Sequence, residues 1–416
     1  MKITIHRGND QIGGCVTEYE HEGWKLFVDY GEQLPGSPKT KPLEVEGLTK
    51  GDLTKSALLI THYHGDHIGS IKDLPKGLAI YIGELAKKIQ LVYSNHMSHM
   101  FKEHIKIIER LNHAEVFSPG IPFWIGPFKI LPINVDHSAF DAYAFKIEAG
   151  GVTVFHTGDF RTHGPRSRKW DNVLYTIIGN VDYVVCEGTN VDRPDLTLRT
   201  EDELIKVFEK GLSQKIGHIV YLSSTNIDRL FLLYKAASKA RMLFLVDAYQ
   251  EQIMDVVRKS DSLWSKSMLY QYRNYPPKVL FKDGANFTFN EKFLKTINER
   301  GYVMIARAHT FDKLIAAIPG EKKIYLSMWK GYVNKECEAY NEALAKSIGS
   351  EYESLHTSGH CDMNSLRKMF EILKPKAIIP IHTNKPDKFA ELFNDEWRVV
   401  MLIDGQSIQL PINDQV

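Results

Sequence analysis

Three histidines and one aspartate fall within six residues in the run Thr61-His62-Tyr63-His64-Gly65-Asp66-His67. The run follows the apolar stretch Ala57-Leu58-Leu59-Ile60, which reads as a short buried strand. On an extended tip His62 and His64 share a face, because side chains two apart point the same way. Asp66 and His67 lie beyond the bend at Gly65 and reach toward a second ion. That spacing implies a two-metal site, and such sites activate water against phosphates, esters and amides.

Four more candidate residues stand where strand-like runs end, the usual place for loop-borne ligands. They are Asp29 after Leu26-Phe27-Val28, His137 after Ile133-Asn134-Val135-Asp136, Asp159 in His156-Thr157-Gly158-Asp159, and Glu187 after Val184-Val185-Cys186. Singly, an aspartate at such a position is more often a turn or helix cap. Their order around the histidine run, Asp29 before it and the other three after, is what makes them informative.

These loops need a scaffold. A chain of 416 residues exceeds one ordinary hydrophobic core, so two compact units are expected. Net charge is +1, which excludes a molecule-wide basic field for nucleic acid but not a local groove. Cys15, Cys186, Cys337 and Cys361 form no C-x-x-C pair, which argues against a disulfide framework or a cysteine zinc site and suits a reducing compartment. Met1–Ile5 reads as a strand and not a signal peptide, and no apolar run approaches membrane length, so a soluble cytoplasmic protein without a membrane partner is expected.

Strands are expected at 25–29, 57–61, 78–82, 128–135, 142–148, 152–156 and 182–187, with helix dominating 84–111. From about Thr200 helices alternate with buried strands, the pattern of a parallel βαβ sheet. After a helix over 335–348 short strands return at 377–381 and 399–403. The predicted organisation is therefore an outer domain formed by 1–195 and 346–416, interrupted by an α/β domain over 196–345.

In the order of these motifs the sequence resembles the metallo-β-lactamase superfamily. That resemblance implies an αββα sandwich and zinc, two ions per chain, with manganese as an alternative. By the same resemblance Asp29 would brace the histidine loop. His62, His64 and His137 would bind the first ion, and Asp66 and His67 the second. Asp159 would bridge both. Neutral imidazoles with carboxylates suit zinc chemically.

The late chain narrows the family. Thr357-Ser358-Gly359-His360 precedes a helix, and Ala377-Ile378-Ile379-Pro380-Ile381-His382 is a buried strand ending in histidine. With Glu187 these resemble the three further motifs of the β-CASP nucleases, whose parallel-sheet domain, flanked by helices, is inserted within the sandwich. The resemblance implies that His382 completes the second ion's ligands. It makes His360 a proton donor or charge stabiliser at the scissile phosphate, with Glu187 orienting it, and gives Asp66 and Asp159 catalytic roles. Ser358, Gly359 and His360 would contact substrate. A histidine at 382 resembles the RNA-processing members, and Tyr221-Leu222-Ser223-Ser224-Thr225-Asn226-Ile227-Asp228-Arg229 looks like the start of the ribonuclease J insert.

The expected activity is hydrolysis of single-stranded RNA, with a homodimer allowed. The rivals are a small phosphodiester or ester hydrolase and a DNA nuclease. Two departures bear on detail. Ile305-Ala306-Arg307-Ala308-His309-Thr310-Phe311 stands where ribonuclease J carries a Gly-Ser-Gln-Gly-Glu stretch, and motif A reads Glu-Gly-Thr-Asn.

Other groups have plainer readings beside functional ones. His96, His99 and His104 on one helix could share a metal. Arg161, Arg166, Arg168 and Lys169 form the best basic patch for phosphates, with His163 beside them. Tyr270-Gln271-Tyr272-Arg273-Asn274-Tyr275 could stack bases, although core packing is the commoner outcome. His156 is equally suited to a core position or to support of Asp159.

Overall fold

The computed structural model describes residues 1–37, 42–272, 275–280 and 290–411. Arg273 and Asn274 of the aromatic stretch lie outside the described residues. The chain divides into two compact units, Met1–Leu198 with Gly359–Val416, and Arg199–Ser358.

The first unit is built on two sheets. One runs, in spatial order, Gln406–Gln409, Lys2–Arg7, Val16–His21, Trp24–Val28, Ser56–Leu59, Ala79–Gly83 and Glu115–Phe117. The other runs Ala377–Ile381, Tyr183–Glu187, Val152–His156, Ala142–Ala149, Phe128–Val135 and Phe123–Ile125. Alternate residues of both sheets meet in one core. Ile3, Ile5, Leu26, Val28, Ala57 and Leu59 come from the first, and Ile130, Phe145, Ile147, Val154, Tyr183 and Val185 from the second. The opposite face of the second sheet sends Phe155, Val184, Cys186 and Ile378 toward the helices Met363–Leu373 and Pro386–Phe393. Covered on both faces, Tyr183–Glu187 and Ala377–Ile381 are buried throughout, which explains their unbroken apolar texture. Pro380 is tolerated because its strand is the sheet edge, where a missing N–H breaks no ladder. This is the αββα sandwich.

Strand direction aims the site. Trp24–Val28 is parallel to Ser56–Leu59, and Val152–His156, Tyr183–Glu187 and Ala377–Ile381 are mutually parallel. Their carboxyl ends release Asp29, the 61–67 run, Asp159, Glu187 and His382. Phe128–Val135, two antiparallel steps from Val152–His156, releases His137 at the same end.

Two expectations for this unit change. The long helical region is two helices, Glu84–Ser98 and Glu103–His113, so His96 and His104 lie on different ones. His104 instead packs edge-on to Tyr93 and sits 3.4 Å from Ser94 Oγ. Residues 399–403 form a single bridge, Ile378 to Val399, and not a strand. The chain there leaves the edge of the second sheet for the edge of the first, where Gln406–Gln409 pairs with Lys2–Ile5.

The second unit is a fully parallel sheet in the order Lys278–Val279, Leu243–Val246, Tyr302–Ala306, Gly217–Tyr221, Lys322–Leu326, Glu353–Ser354. Helices Glu201–Gly211 and Ala248–Arg258 start with reciprocal caps, Thr200 with Glu203 and Asp247 with Gln250, which satisfy otherwise orphaned amides. Buried Arg229 is clamped by both oxygens of Glu201 and also donates to Ser327 Oγ and the Leu355 carbonyl. Arg307 pairs with Asp247 and lies over the Tyr249 ring. Tyr270 is core, its hydroxyl donating to Asp228 at 2.7 Å, and Tyr272 lies under Arg258. Sequence texture puts 346–358 in the outer domain, whereas the compact unit runs on to Ser358. The reason is that Glu353–Ser354 extends the parallel sheet and the Leu355 amide bonds the Leu326 carbonyl.

Candidate metal centre

The 61–67 run turns from strand into the short helix Gly65–Ile68, and its histidines separate as the spacing implies. His62 Nε2 and His137 Nε2 both approach His64 Nδ1, at 3.2 and 3.1 Å. His67 Nε2 and His382 Nε2 lie 3.1 and 3.5 Å from Asp159 Oδ2, and 3.8 and 3.4 Å from Asp66 Oδ2. Donors 2.0–2.1 Å from a tetrahedral zinc are ~3.3–3.4 Å from one another. The spacings bracket that value. Asp159 Oδ1 is buried without a hydrogen-bond partner, the kind of orphaned acceptor that a cation satisfies. The residues present therefore fit zinc in two adjoining groups, His62/His64/His137 and Asp66/His67/His382, with Asp159 against both.

Tautomers are set from behind. His67 Nδ1 lies 2.7 Å from Asp29 Oδ2, and His137 Nδ1 donates to the Gly359 carbonyl at 2.7 Å. Thr61 Oγ1 donates to Asp29 Oδ2, which leaves it to accept from His62 Nδ1 at 3.0 Å. Each contact engages Nδ1 and turns Nε2 toward the centre, an arrangement that orients imidazole ligands and raises their basicity. Asp29 also accepts the Thr61 amide at 2.8 Å. Asp29 and His382 both hold left-handed backbone, at φ +62° and +52°, a strain that persists where surroundings over-determine it.

Charge is distributed unevenly. Burial, reinforced by neighbouring imidazoles, lowers His62 and His137 well below the ordinary histidine value and takes His64 to about 4. Burial alone would lower His67 too, but Asp159, Asp29 and Asp66 hold it well above that value. Burial opposes ionisation of Asp66 and Asp159, yet His67 and His382 hold both carboxyls below the usual range. His360 is half-buried, which alone would lower it, but Glu187 and Asp159 raise it to about 9. Its Nδ1 is 3.2 Å from Glu187 Oε2, and Glu187 is held by the amides of Thr189 and Cys361.

Three placements depart from simple reading. Arg161 and Arg166 are not a phosphate patch. Both are buried against Asp136, and Arg166 donates to the carbonyls of Val135, His137 and Ala139. The Arg161 amide also bonds the Asp136 carbonyl, so these groups stitch the His137 loop to the Asp159 loop. Arg168 and Lys169 remain exposed. His156 is a buried neighbour of Tyr19, Nδ1 to hydroxyl 2.9 Å, under the Asp159 loop. Gly359 holds His137 through its carbonyl, and a Cβ there would come 2.7 Å from Ser138 Oγ. Sequence reasoning missed Thr61, Thr189 and Asp136; a threonine just before the first histidine was the one available signal.

Comparison with known proteins agrees with this architecture. A family model described as a beta-lactamase superfamily domain matches residues 37–210. A second, described as a Zn-dependent metallo-hydrolase RNA specificity domain, matches 348–402. Ribonuclease J of Helicobacter pylori (strain B128) is 23% identical over 92% of this chain and 56% of its own length. Ribonuclease J of Sinorhizobium meliloti is 24% identical over 87% of this chain and 64% of its own. The chain thus spans somewhat over half the length of the curated relatives it matches. A crystal structure of a protein of unknown function from Enterococcus faecalis V583 superposes with TM-score 0.73 at 17% identity, over 98% of this chain and 99% of that one, which shows the fold.

Sandwich, inserted α/β unit and clustered ligands define a metallo-β-lactamase-superfamily protein. Within that class the chain is ribonuclease J-like.

Proposed function

We propose that the protein is a two-zinc phosphodiesterase that cleaves single-stranded RNA. The observation that carries this reading is His360, paired with Glu187 and 3.8 Å from Asp159, standing beside two adjoining zinc-type donor sets. His62, His64, His137, Asp66, His67 and His382 would hold zinc there, which would supply an acidified water at neutral pH and offset charge on the scissile phosphate. Asp159 keeps the two donor sets in register and balances their charge. Glu187 fixes His360 with Nδ1 toward itself, so Nε2 faces substrate and hands its proton to the leaving 3′-oxygen. The His360 side chain is 19% exposed, which leaves it reachable by a bound strand. The RNA specificity match and the ribonuclease J relatives favour RNA as substrate.

The test is the purified chain with zinc or manganese on 5′-labelled RNA bearing monophosphate or triphosphate ends. DNA of the same sequence and bis(p-nitrophenyl) phosphate serve as rival substrates. RNA products that vanish in Asp159→Asn support the reading. Turnover of the small ester or of DNA with RNA untouched rejects it.

A further inference from the structure

We infer that Thr189 is a positioning residue whose single hydroxyl sets the tautomer of His382 and the ring orientation of His360 together. The inference rests on the two-ion reading above.

Thr189 is buried, and its Oγ1 meets three polar atoms. His382 Nδ1 is 2.8 Å away, His360 Nδ1 3.1 Å, and the His382 carbonyl oxygen 3.4 Å. A hydroxyl has one proton and two lone pairs. The carbonyl is an acceptor only, so the proton goes there. Both imidazoles must then present Nδ1–H to the same oxygen. His382 is left with a bare Nε2, the atom that faces Asp66 and Asp159. His360 shares its Nδ1–H with Glu187, so its Nε2 is the working nitrogen.

The other back-side contacts serve ion ligands only: the Gly359 carbonyl serves His137, Asp29 serves His67, and Thr61 Oγ1 meets His62 and, at 3.5 Å, His67. Thr189 alone among these joins an ion ligand to the proton donor. The two rings also stack, centroids 5.3 Å apart at 29°. A shift of either histidine therefore changes the hydrogen bond of the other. Thr189 stays fixed because its amide donates to Glu187 Oε2, two residues back.

The experiment compares wild type with Thr189→Val, which keeps shape and loses the hydroxyl, and Thr189→Ser, which keeps it. Zinc is titrated into the metal-free full chain against a chromophoric chelator, and histidine 15N spectra report the tautomers. In Thr189→Val the second ion binds about 10–100-fold more weakly while the first is unchanged, the usual scale for outer hydrogen-bond partners. The His382 signal loses its pure Nδ1–H character, and kcat on RNA falls with KM held. Thr189→Ser restores all three. The inference is overturned if Thr189→Val binds both ions as wild type does, if both weaken equally, or if serine fails to rescue. A wild-type chain that takes up no second ion overturns it together with the functional reading. Two tight zincs without RNA cleavage would reject the RNA substrate alone, and the binding and tautomer readouts would still decide Thr189.

Discussion

Asp29 and His67 are 38 residues apart in the chain, yet Asp29 Oδ2 lies 2.7 Å from His67 Nδ1. The same carboxylate accepts the amide and hydroxyl of Thr61, so one side chain holds the start and the end of the histidine run. Asp29→Asn keeps the size and removes the charge. Zinc affinity should fall about 10–100-fold, read by chelator competition. An unchanged affinity would show that the loop holds its shape without the carboxylate.

The uneven charge of the cluster gives a pH prediction. His62, His64 and His137 are already neutral at pH 7, because burial holds them below the ordinary value. His67 is raised by its three carboxylates and carries a proton, which it must give up to bind zinc. The second ion should therefore release about one proton more than the first, and its affinity should rise with pH until His67 titrates. Calorimetry in buffers of different ionisation enthalpy measures this. Equal proton release for both ions would contradict it.

Removing the His360 side chain should separate binding from turnover. His360→Ala is expected to keep both zincs and lose about 10²–10⁴ in kcat, the range for a positioned acid. Loss of an ion in the variant would make His360 a ligand instead.

Arg166 tests the buried stitching of two ligand loops. Arg166→Met removes one of the two guanidiniums facing Asp136 and three carbonyl contacts, including that to His137. Breaking a buried ion pair on one side costs about 3–5 kcal/mol, to be read by denaturant unfolding of the full chain. A loss below about 1 kcal/mol would mean that Arg161 compensates alone.

How much of this was legible in the chain depends on distance along it. The His62–His67 run was readable because its ligands are local, and helix–strand alternation announced the inserted parallel unit, whereas the two-sheet sandwich came from the family resemblance. The boundary at Ser358 was not, since Glu353–Ser354 is too short to read as a strand and is defined by its pairing with Tyr325–Leu326. The arginines of 161–168 read as a surface patch because a sequence shows charge without burial; Asp136, which neutralises two of them, lies 25 residues upstream of the first.

By itself, then, the sequence determined which side chains could bind metal and the strand-end positions from which they leave. That information is in residue type and period. Only the tertiary structure decided which nitrogen of each histidine faces the centre, because a tautomer is set by the atom behind the ring. Those atoms, on Asp29, Thr61, Thr189 and Gly359, come from strands and loops that meet only once both sheets have packed.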